Sequence, residues 1–530
     1  MGSRPVGALQ SAEGNLARGR TATQRHGQGH QARRTETRRG HAVSGVLYSL
    51  QTYWPVHLLL LAYAGMLAYH AWTGHRATHG VADYYVGGRS MGGVVLGLSF
   101  FATYSSTNSF VGFAGQAYAW GGGWLLLAPA TVVMSFVAWR FVAPRLRRFT
   151  GELGSLTVAD YIGFRFDSVA ARVSAAVIVL FASFFYMTAV FKGIGNLVQA
   201  FLEIPYEAAI VLVFVVVVGY TVAGGFISVV KTDAVQGVVM VFAALMLFSG
   251  TVRAAGGLGA LAEVRAAPAT AHLFALNGPL PLVYIVGVLV AGTAKFVTEP
   301  RQLSRFYAID DATSIRAGVW TSTLAFALVY TLLVPLGLFA RAIFPEGVTD
   351  TDQVVPMLLT SADVFSPGVT AFLLVAMVAA AMSSLDSVLL VMASTAERDI
   401  ASVWRGVQSE ASELRRTRIW VALFALITAV IALRPPGGIV GLTVLSGSMY
   451  AACFAPAVLL GLFWRGGNAH GVLASFASGL MVLLLWPQLP IAATVHQVFP
   501  AIGLALLVYV AIGRARGPVQ SNALDRLFAE

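Results

Sequence analysis

Long apolar runs alternate with short polar stretches over most of this chain. Thirteen runs are long enough to cross a hydrocarbon core of about 30 Å at 1.5 Å of helix rise per residue. Backbone groups inside a bilayer must hydrogen-bond to one another, so each run predicts a helix. The pattern therefore predicts an all-α polytopic membrane protein with about 13 transmembrane helices, at residues 54–72, 92–119, 123–143, 172–201, 207–223, 231–252, 277–298, 316–341, 367–394, 418–433, 438–464, 470–487 and 496–513.

Composition supports the same class. Of the 530 residues, 57% are hydrophobic and 11% are charged, whereas soluble domains carry about 25% charged residues. The net charge of +11 does not indicate nucleic-acid binding, because most arginines lie in the N-terminal tail or between apolar runs. Arginines there set orientation and contact lipid headgroups.

Basic residues also predict the orientation. By the span count, most of the basic loops fall on one side of the membrane, which the positive-inside rule places in the cytoplasm. We therefore expect a multi-pass protein of the bacterial cytoplasmic (inner) membrane, with its N-terminus outside and its C-terminus in the cytoplasm. The residues counted on the inner side are Arg145, Arg147, Arg148, Arg301, Arg305, Arg398, Arg405, Arg415, Arg416, Arg514 and Arg516.

Residues 1–45 disagree with that orientation, since they hold eight arginines and only two acids. Their composition is typical of a disordered tail. Two interpretations stay open. The segment is either a native tail that is tolerated outside, or it is partly not native because an upstream start codon was assigned in error.

The second apolar run is unusually polar at its centre. Six of the seven residues from Thr103 to Ser109 are Ser, Thr or Asn, whose side chains compete for backbone hydrogen bonds. A helix interrupted at mid-membrane frees carbonyl groups that can coordinate a cation. The alternative is that these side chains bond within their own helix or allow close packing between helices.

The ninth run carries a hydroxylated face. Ala380, Ser383, Ser384 and Ser387 recur at helical spacing, so they share one side of the helix. Hydroxyl oxygens suit a hard cation. Asp386 is an acid within an apolar run, which is usually functional. The alternative is a packing seam with Asp386 at the cytoplasmic interface.

A third motif lies between the fifth and sixth runs. Gly224 and Gly225 predict a break, and Thr232 and Asp233 are expected in the first turn of the following helix, where an acid suits the helix dipole. Capping is one interpretation of Asp233. A cytoplasmic gate or a second cation site is the other.

Together with the segment Asp83–Ser90, these motifs resemble the sodium:solute symporter family over about residues 80–465. The resemblance implies a leucine-transporter-like core of two inverted five-helix repeats, with accessory helices outside. The expected division is a disordered tail at 1–45, an accessory first helix at 46–80, repeats at 81–254 and 277–465, an outer loop at 255–276, two accessory helices at 466–513 and a cytoplasmic tail at 514–530.

The resemblance also implies site residues. A sodium ion would be bound by the carbonyls of Ala102, Ser105 and Ala380 and the hydroxyls of Ser383 and Ser384. Asp233 matches a family aspartate that is linked to sodium coupling, and Asp386 is a further candidate for coupling or a second ion. Substrate-binding candidates are Ser106, Asn108, Ser109, Gly292, Lys295, Phe296 and Glu299.

The substrate region departs from the sodium/proline members of the family. They have tryptophan where Gly292 stands and a neutral Gly-Gln-Pro where Thr298–Pro300 stands, so proline cannot be carried over. Lys295 and Glu299 are four residues apart. Either Lys295 binds a substrate carboxylate and Glu299 an amine or hydroxyl, or the two form an internal ion pair.

The function implied is secondary active transport, in which inward sodium movement drives uptake of a small organic solute, a carboxylate or amino acid, by alternating access. Alternatives are a proton-coupled carrier of the same fold, with Asp233 or Asp386 titrating, and a non-transporting membrane sensor. No enzymatic activity is expected. The expected partners are sodium, a small-molecule substrate and the lipid bilayer, with no nucleic acid and no obligatory protein partner.

Overall fold

The structure is a computed structural model that describes residues 54–275, 278–361, 363–406 and 409–529. Helices make up most of this part of the chain. The described residues contain no β-strand, only an isolated β-bridge between Met91 and Ile309. The tail predicted at 1–45 lies outside the described residues, as does the start of the predicted accessory segment.

The N-terminal half of the described chain contains the helices that form the first break and its surroundings. They are α1 (Trp54–Ala77), α2 (Gly93–Tyr104), α3 (Phe113–Trp120), α4 (Leu127–Val137), α5 (Val169–Leu202), α6 (Tyr206–Val222) and α7 (Gly224–Ala254).

The C-terminal half repeats the pattern of a short, interrupted helix followed by longer ones. Its helices are α8 (Leu282–Thr293), α9 (Pro300–Tyr307), α10 (Ala312–Leu333), α11 (Leu336–Ile343), α12 (Val354–Thr360), α13 (Pro367–Thr395), α14 (Glu410–Ala432), α15 (Ile439–Phe454), α16 (Ala469–Leu485), α17 (Val498–Arg516) and α18 (Asn522–Ala529).

Each of the thirteen predicted apolar segments lies mainly on helix where the structure describes it, so the predicted all-α class is confirmed. Nine described helical runs are long and apolar enough to cross a membrane, and α2 and α6 are apolar but shorter. The number thirteen and the repeat boundaries stay predictions.

The break between α6 and α7 occurs where the glycines predict it. Gly225 has φ +63°, a left-handed conformation that glycine adopts without steric cost. A Cβ there would also lie 2.7 Å from the Tyr84 ring. The predicted helix start near Lys231 is wrong: α7 begins at Gly224, so Asp233 lies beyond its first turns and is not a dipole cap.

Helix α13 is the centre of the bundle. Nearly all its side chains are buried, and it packs against α1, α2, α5, α7 and α14. The outer helices instead expose large apolar side chains, such as Leu61 at 70% and Leu484 at 72%. Lipid is the solvent for such a surface, so a polar face on α13 is shielded from lipid by the helices around it.

Close helix packing generates the first prediction. Gly337 on α11 lies against α3 so tightly that a Cβ would be 1.9 Å from the Ala114 carbonyl oxygen. Gly337→Ala should therefore lower the free energy of unfolding by about 1–3 kcal/mol through overpacking. Thermal unfolding of the purified protein measures it. Gly219→Ala, a helical position with no atom within 4 Å, is the control, and equal stability of the two variants would contradict the packing.

Candidate functional site

The polar run in the second apolar segment breaks the helix, as predicted. Helix α2 ends at Tyr104, and Ser105 is extended (φ −78°, ψ 98°). The Ser106 hydroxyl accepts a hydrogen bond of 3.2 Å from the backbone N–H of Asn108. A serine side chain thus satisfies a backbone donor that the interrupted helix leaves unpaired.

A second break lies at Glu299. It separates the single turn Lys295–Thr298 from α9, and its backbone is extended (φ −79°, ψ 124°). Pro300 is the cause, because proline disfavours helical geometry in the residue before it and is well suited to the first position of a new helix.

A buried ion pair lies between these breaks. The Nη2 atom of Arg305 is 2.7 Å from Asp233 Oδ2 and also donates to the hydroxyls of Thr103 and Ser387, each at 2.7 Å. The hydroxyls of Ser99 and Ser383 donate to the Asp233 carboxylate at 2.7 and 2.5 Å. Hydroxyl groups from α2 and α13 therefore surround both charges in place of water.

The broken end of α2 contacts α13 directly. The Ser384 hydroxyl donates to the Thr103 carbonyl oxygen at 3.0 Å and accepts from the Tyr186 hydroxyl at 3.2 Å. The five residues that the resemblance assigns to sodium lie at or near this contact. Ala102 directly precedes Thr103, Ser105 follows it by two residues, and Ala380 precedes the two serines by one turn. All five are buried. Carbonyl and hydroxyl oxygens are ligands that suit a hard cation.

The two candidate acids are both buried on this side of α13. Asp386 accepts hydrogen bonds from the hydroxyls of Tyr220 (3.1 Å) and Ser387 (3.3 Å) and is fully buried. It therefore does not reach an exposed interface. Asp233 already neutralises Arg305, so a second cation at Asp233 would share its carboxylate with the guanidinium.

The assignment of Arg301 and Arg305 to a cytoplasmic loop is wrong. Their side chains are 2% and 1% exposed. Arg301 binds both carboxylate oxygens of Glu299 at 3.1 Å and donates to Tyr186 and to the Thr103 carbonyl. Both cations compensate acids inside the protein, so neither contributes to the basic bias that sets orientation.

A narrow cavity lies between the two breaks. Four of the predicted substrate residues, Ser106, Asn108, Gly292 and Lys295, line it. The other three do not line it. Ser109 hydrogen-bonds the Tyr330 hydroxyl at 2.7 Å, Phe296 stacks on Tyr104 with ring centroids 4.2 Å apart, and Glu299 is held by Arg301.

Several lining residues were missed by sequence reasoning. They are mostly aromatic or aliphatic side chains within apolar runs, where no pattern distinguishes a cavity wall from ordinary packing. The residues concerned are Tyr104, Phe113, Trp124, Leu127, Tyr186, Val288, Arg301, Val440, Thr443 and Val444.

A third ion pair connects the segment before α12 to two helices near the cavity. Lys192 on α5 is 2.8 Å from Asp352 Oδ2. The same oxygen accepts from the backbone N–H of Ile439 at the start of α15 at 3.2 Å. Val440 and Thr443 on that helix line the cavity, so Asp352 fixes one of the cavity walls.

Comparison with known proteins identifies the family. The model of the sodium:solute symporter family matches residues 84–479. The chain belongs to this family. It is 30% identical to the sodium/pantothenate symporter of Haemophilus influenzae, over 81% of this chain and 89% of the relative. It is 27% identical to the sodium/proline symporter of Escherichia coli, over 88% and 93%. This symporter therefore couples sodium to solute uptake as a multi-pass membrane protein.

Solved structures agree in fold. A sodium-coupled sialic acid symporter matches with a TM-score of 0.75 at 16% identity, over 88% of this chain and 98% of that one. The inward-facing structure of Mhp1 matches with a TM-score of 0.53 at 12% identity, over 83% and 94%. The leucine-transporter-like core is confirmed by these neighbours.

The Arg305–Asp233 pair generates the second prediction. Asp233→Asn should destabilise the protein by about 3–5 kcal/mol, because it leaves the buried guanidinium uncompensated. Arg305→Gln should do the same for the carboxylate. The double variant should lose clearly less than the sum of the two, as measured by thermal unfolding in a double-mutant cycle. Additive losses would show that the two charges do not interact.

Proposed function

We propose that sodium binds where the broken end of α2 meets α13, and that a small carboxylate or amino acid binds in the adjoining cavity. The observation that carries the proposal is the hydrogen bond from Ser384 to the Thr103 carbonyl. It brings a carbonyl end freed by helix interruption against a hydroxylated helix face. The five assigned ligands are then Ala102, Ser105, Ala380, Ser383 and Ser384, with Asp233 and Asp386 behind them.

Coupling follows from the shared elements. Ser105 belongs to the proposed sodium site, and its neighbour Ser106 lines the cavity. A cation that orders this break also fixes the wall that the solute touches, so each ligand favours the conformation that the other needs. Alternating access driven by the sodium gradient is the mechanism that we propose for uptake.

We also propose that the C-terminus is cytoplasmic and the N-terminus outside. Helix α18 packs against the arginine-rich segment Ala143–Glu152, with Phe528 against Phe149 and a hydrogen bond from Arg148 to the Leu527 carbonyl. The C-terminus and these arginines therefore share one face. The positive-inside rule puts such a face in the cytoplasm, and the relatives are bacterial symporters.

The third prediction tests the sodium site. In proteoliposomes with an inward sodium gradient, Ser383→Ala/Ser384→Ala should raise the sodium concentration for half-maximal uptake at least about tenfold, because two oxygen contacts to a charged ligand are lost. A panel of labelled carboxylates and amino acids is the substrate source. Ser394→Ala is the matched control, since that serine of α13 bonds only within its own helix. Uptake that is unchanged when choline replaces sodium would instead favour proton coupling.

The fourth prediction tests orientation. Cys453 is buried, so single cysteines can be added at exposed positions against a low labelling background. Ala267→Cys in the predicted outer loop should react with a membrane-impermeant maleimide in intact cells. Gln520→Cys, beyond α17, should react only after permeabilisation. The opposite pattern would reverse the proposed topology.

A further inference from the structure

Lys295 is a buried cation whose ammonium group is hydrogen-bonded by no other group in the described chain. Its side chain is 1% exposed, and Nζ has no hydrogen-bond partner. The Nζ atom lies over the ring of Tyr186, 4.6 Å from the ring centroid. A cation–π contact is worth about 0.5–2 kcal/mol, which is less than the several kcal/mol needed to desolvate an ammonium ion.

The acids around Lys295 already have partners. Both oxygens of Glu299 are bound by Arg301 at 3.1 Å, although Glu299 is the acid nearest in sequence. Asp233 is bound by Arg305. Two cations, Lys295 and Arg301, thus lie beside one anion, Glu299, which leaves one positive charge at the cavity.

The position of this lysine is built into the fold. Gly447 on α15 leaves room for it, since a Cβ there would lie 2.8 Å from Lys295 Cε and 2.2 Å from the Ala291 carbonyl oxygen. On the other side, the Gly292 carbonyl accepts from the Tyr104 hydroxyl at 3.1 Å. The ammonium group is therefore confined at the wall of the cavity and cannot extend to an exposed surface.

The other residues that line the cavity favour a solute with an apolar body and a negative charge. The walls of the cavity are mainly apolar, and Arg301 is its other cation. The remaining polar side chains that line it are neutral, and they are Tyr104, Ser106, Asn108, Trp124, Tyr186 and Thr443. No acidic side chain lines it within the described residues. A substrate ammonium group would therefore meet two cations and no carboxylate. Only neutral oxygens, such as the unpaired Oδ1 of Asn108, could accept its hydrogen bonds, so its charge would stay uncompensated.

Resting on the proposed function, we infer that the solute is a small monocarboxylate with an apolar body and no amino group, and that Lys295 binds its carboxylate. Glu299 is then a positioning residue that holds Arg301. Of the two sequence interpretations of Lys295, this one keeps the carboxylate contact and removes the amine contact from Glu299.

The fifth prediction uses thermal unfolding of the purified, full-length protein. The first arm contains no organic solute and compares sodium with choline for wild type and Ser383→Ala/Ser384→Ala. Stabilisation by sodium that disappears in the double variant supports the proposed sodium site. Absence of any sodium effect on the wild type would overturn the proposed function itself.

The second arm is carried out in sodium with three pairs of probes that differ only by an α-ammonium group. Propionate, 3-methylbutyrate and 3-phenylpropionate are compared with alanine, valine and phenylalanine. We expect at least one carboxylate to stabilise the wild type and its amino counterpart to bind at least about tenfold more weakly, because only the ammonium group of the counterpart is buried without a charged partner, at a cost of about 1–3 kcal/mol or more. Amino acids that bind as well, or no response to any carboxylate while sodium still stabilises, would overturn the inference and leave the proposed function standing.

Variants of Lys295 complete the test. Lys295→Met should weaken carboxylate binding at least about tenfold while raising the unfolding temperature without solute, because it removes an uncompensated buried charge. Lys295→Gln serves if the methionine variant does not fold. Lys231→Met, an exposed lysine on α7, is the matched control and should bind like wild type. Unchanged carboxylate affinity in both Lys295 variants would exclude Lys295 as the carboxylate partner.

Discussion

The ion pair between Arg305 and Asp233 joins the parts of the molecule on which both proposed sites depend. It links α9, which follows the second break, to α7, and its hydrogen bonds reach α2 and α13. Buried charges are costly to desolvate. Four hydroxyl groups, from Ser99, Thr103, Ser383 and Ser387, replace water around this pair, so the two breaks are held in a fixed relation to α13.

This arrangement explains why the hydroxylated face of α13 has two uses. Ser383 faces the carboxylate of Asp233, whereas Ser384 faces the Thr103 carbonyl at the broken end of α2. Neighbouring residues on a helix point about 100° apart, so one serine supports the ion pair and the next supports the proposed sodium contact. A sodium ion that draws on both hydroxyls would therefore alter the surroundings of Arg305 and, through α9, the second break.

The sequence predicts the first break because its cause is local: a run of Ser, Thr and Asn competes with helix hydrogen bonds. The break at Glu299, which we did not predict from the residues, also has a local cause, since Pro300 constrains the residue before it. Partners are not local. The four-residue spacing of Lys295 and Glu299 allows an ion pair on a continuous helix, but the helix ends at Thr298, and the Glu299 carboxylate is bound by Arg301.

The sequence also fails to predict the burial of Arg301 and Arg305. An arginine at the edge of an apolar run has the same sequence signature whether it faces headgroups or an internal acid. Only the fold brings Asp233, which is 72 residues away in sequence, to Arg305. The aromatic residues that line the cavity cannot be recognised from the sequence either, because Trp124 or Tyr186 in an apolar run is equally consistent with ordinary core packing.

Lys295 and Arg305 are ten residues apart on the two sides of one break, and both are almost fully buried. Arg305 has a carboxylate and four hydroxyls within hydrogen-bond distance, so its charge is satisfied by the protein itself. Lys295 has an aromatic face and, in the described chain, no anion within hydrogen-bond distance of Nζ. A charge that the fold fully satisfies stabilises structure, whereas one that the fold buries and leaves open is stabilised only by an anion that enters from outside. The contrast between these two cations therefore separates the one that stabilises the fold from the one that we propose to bind the solute.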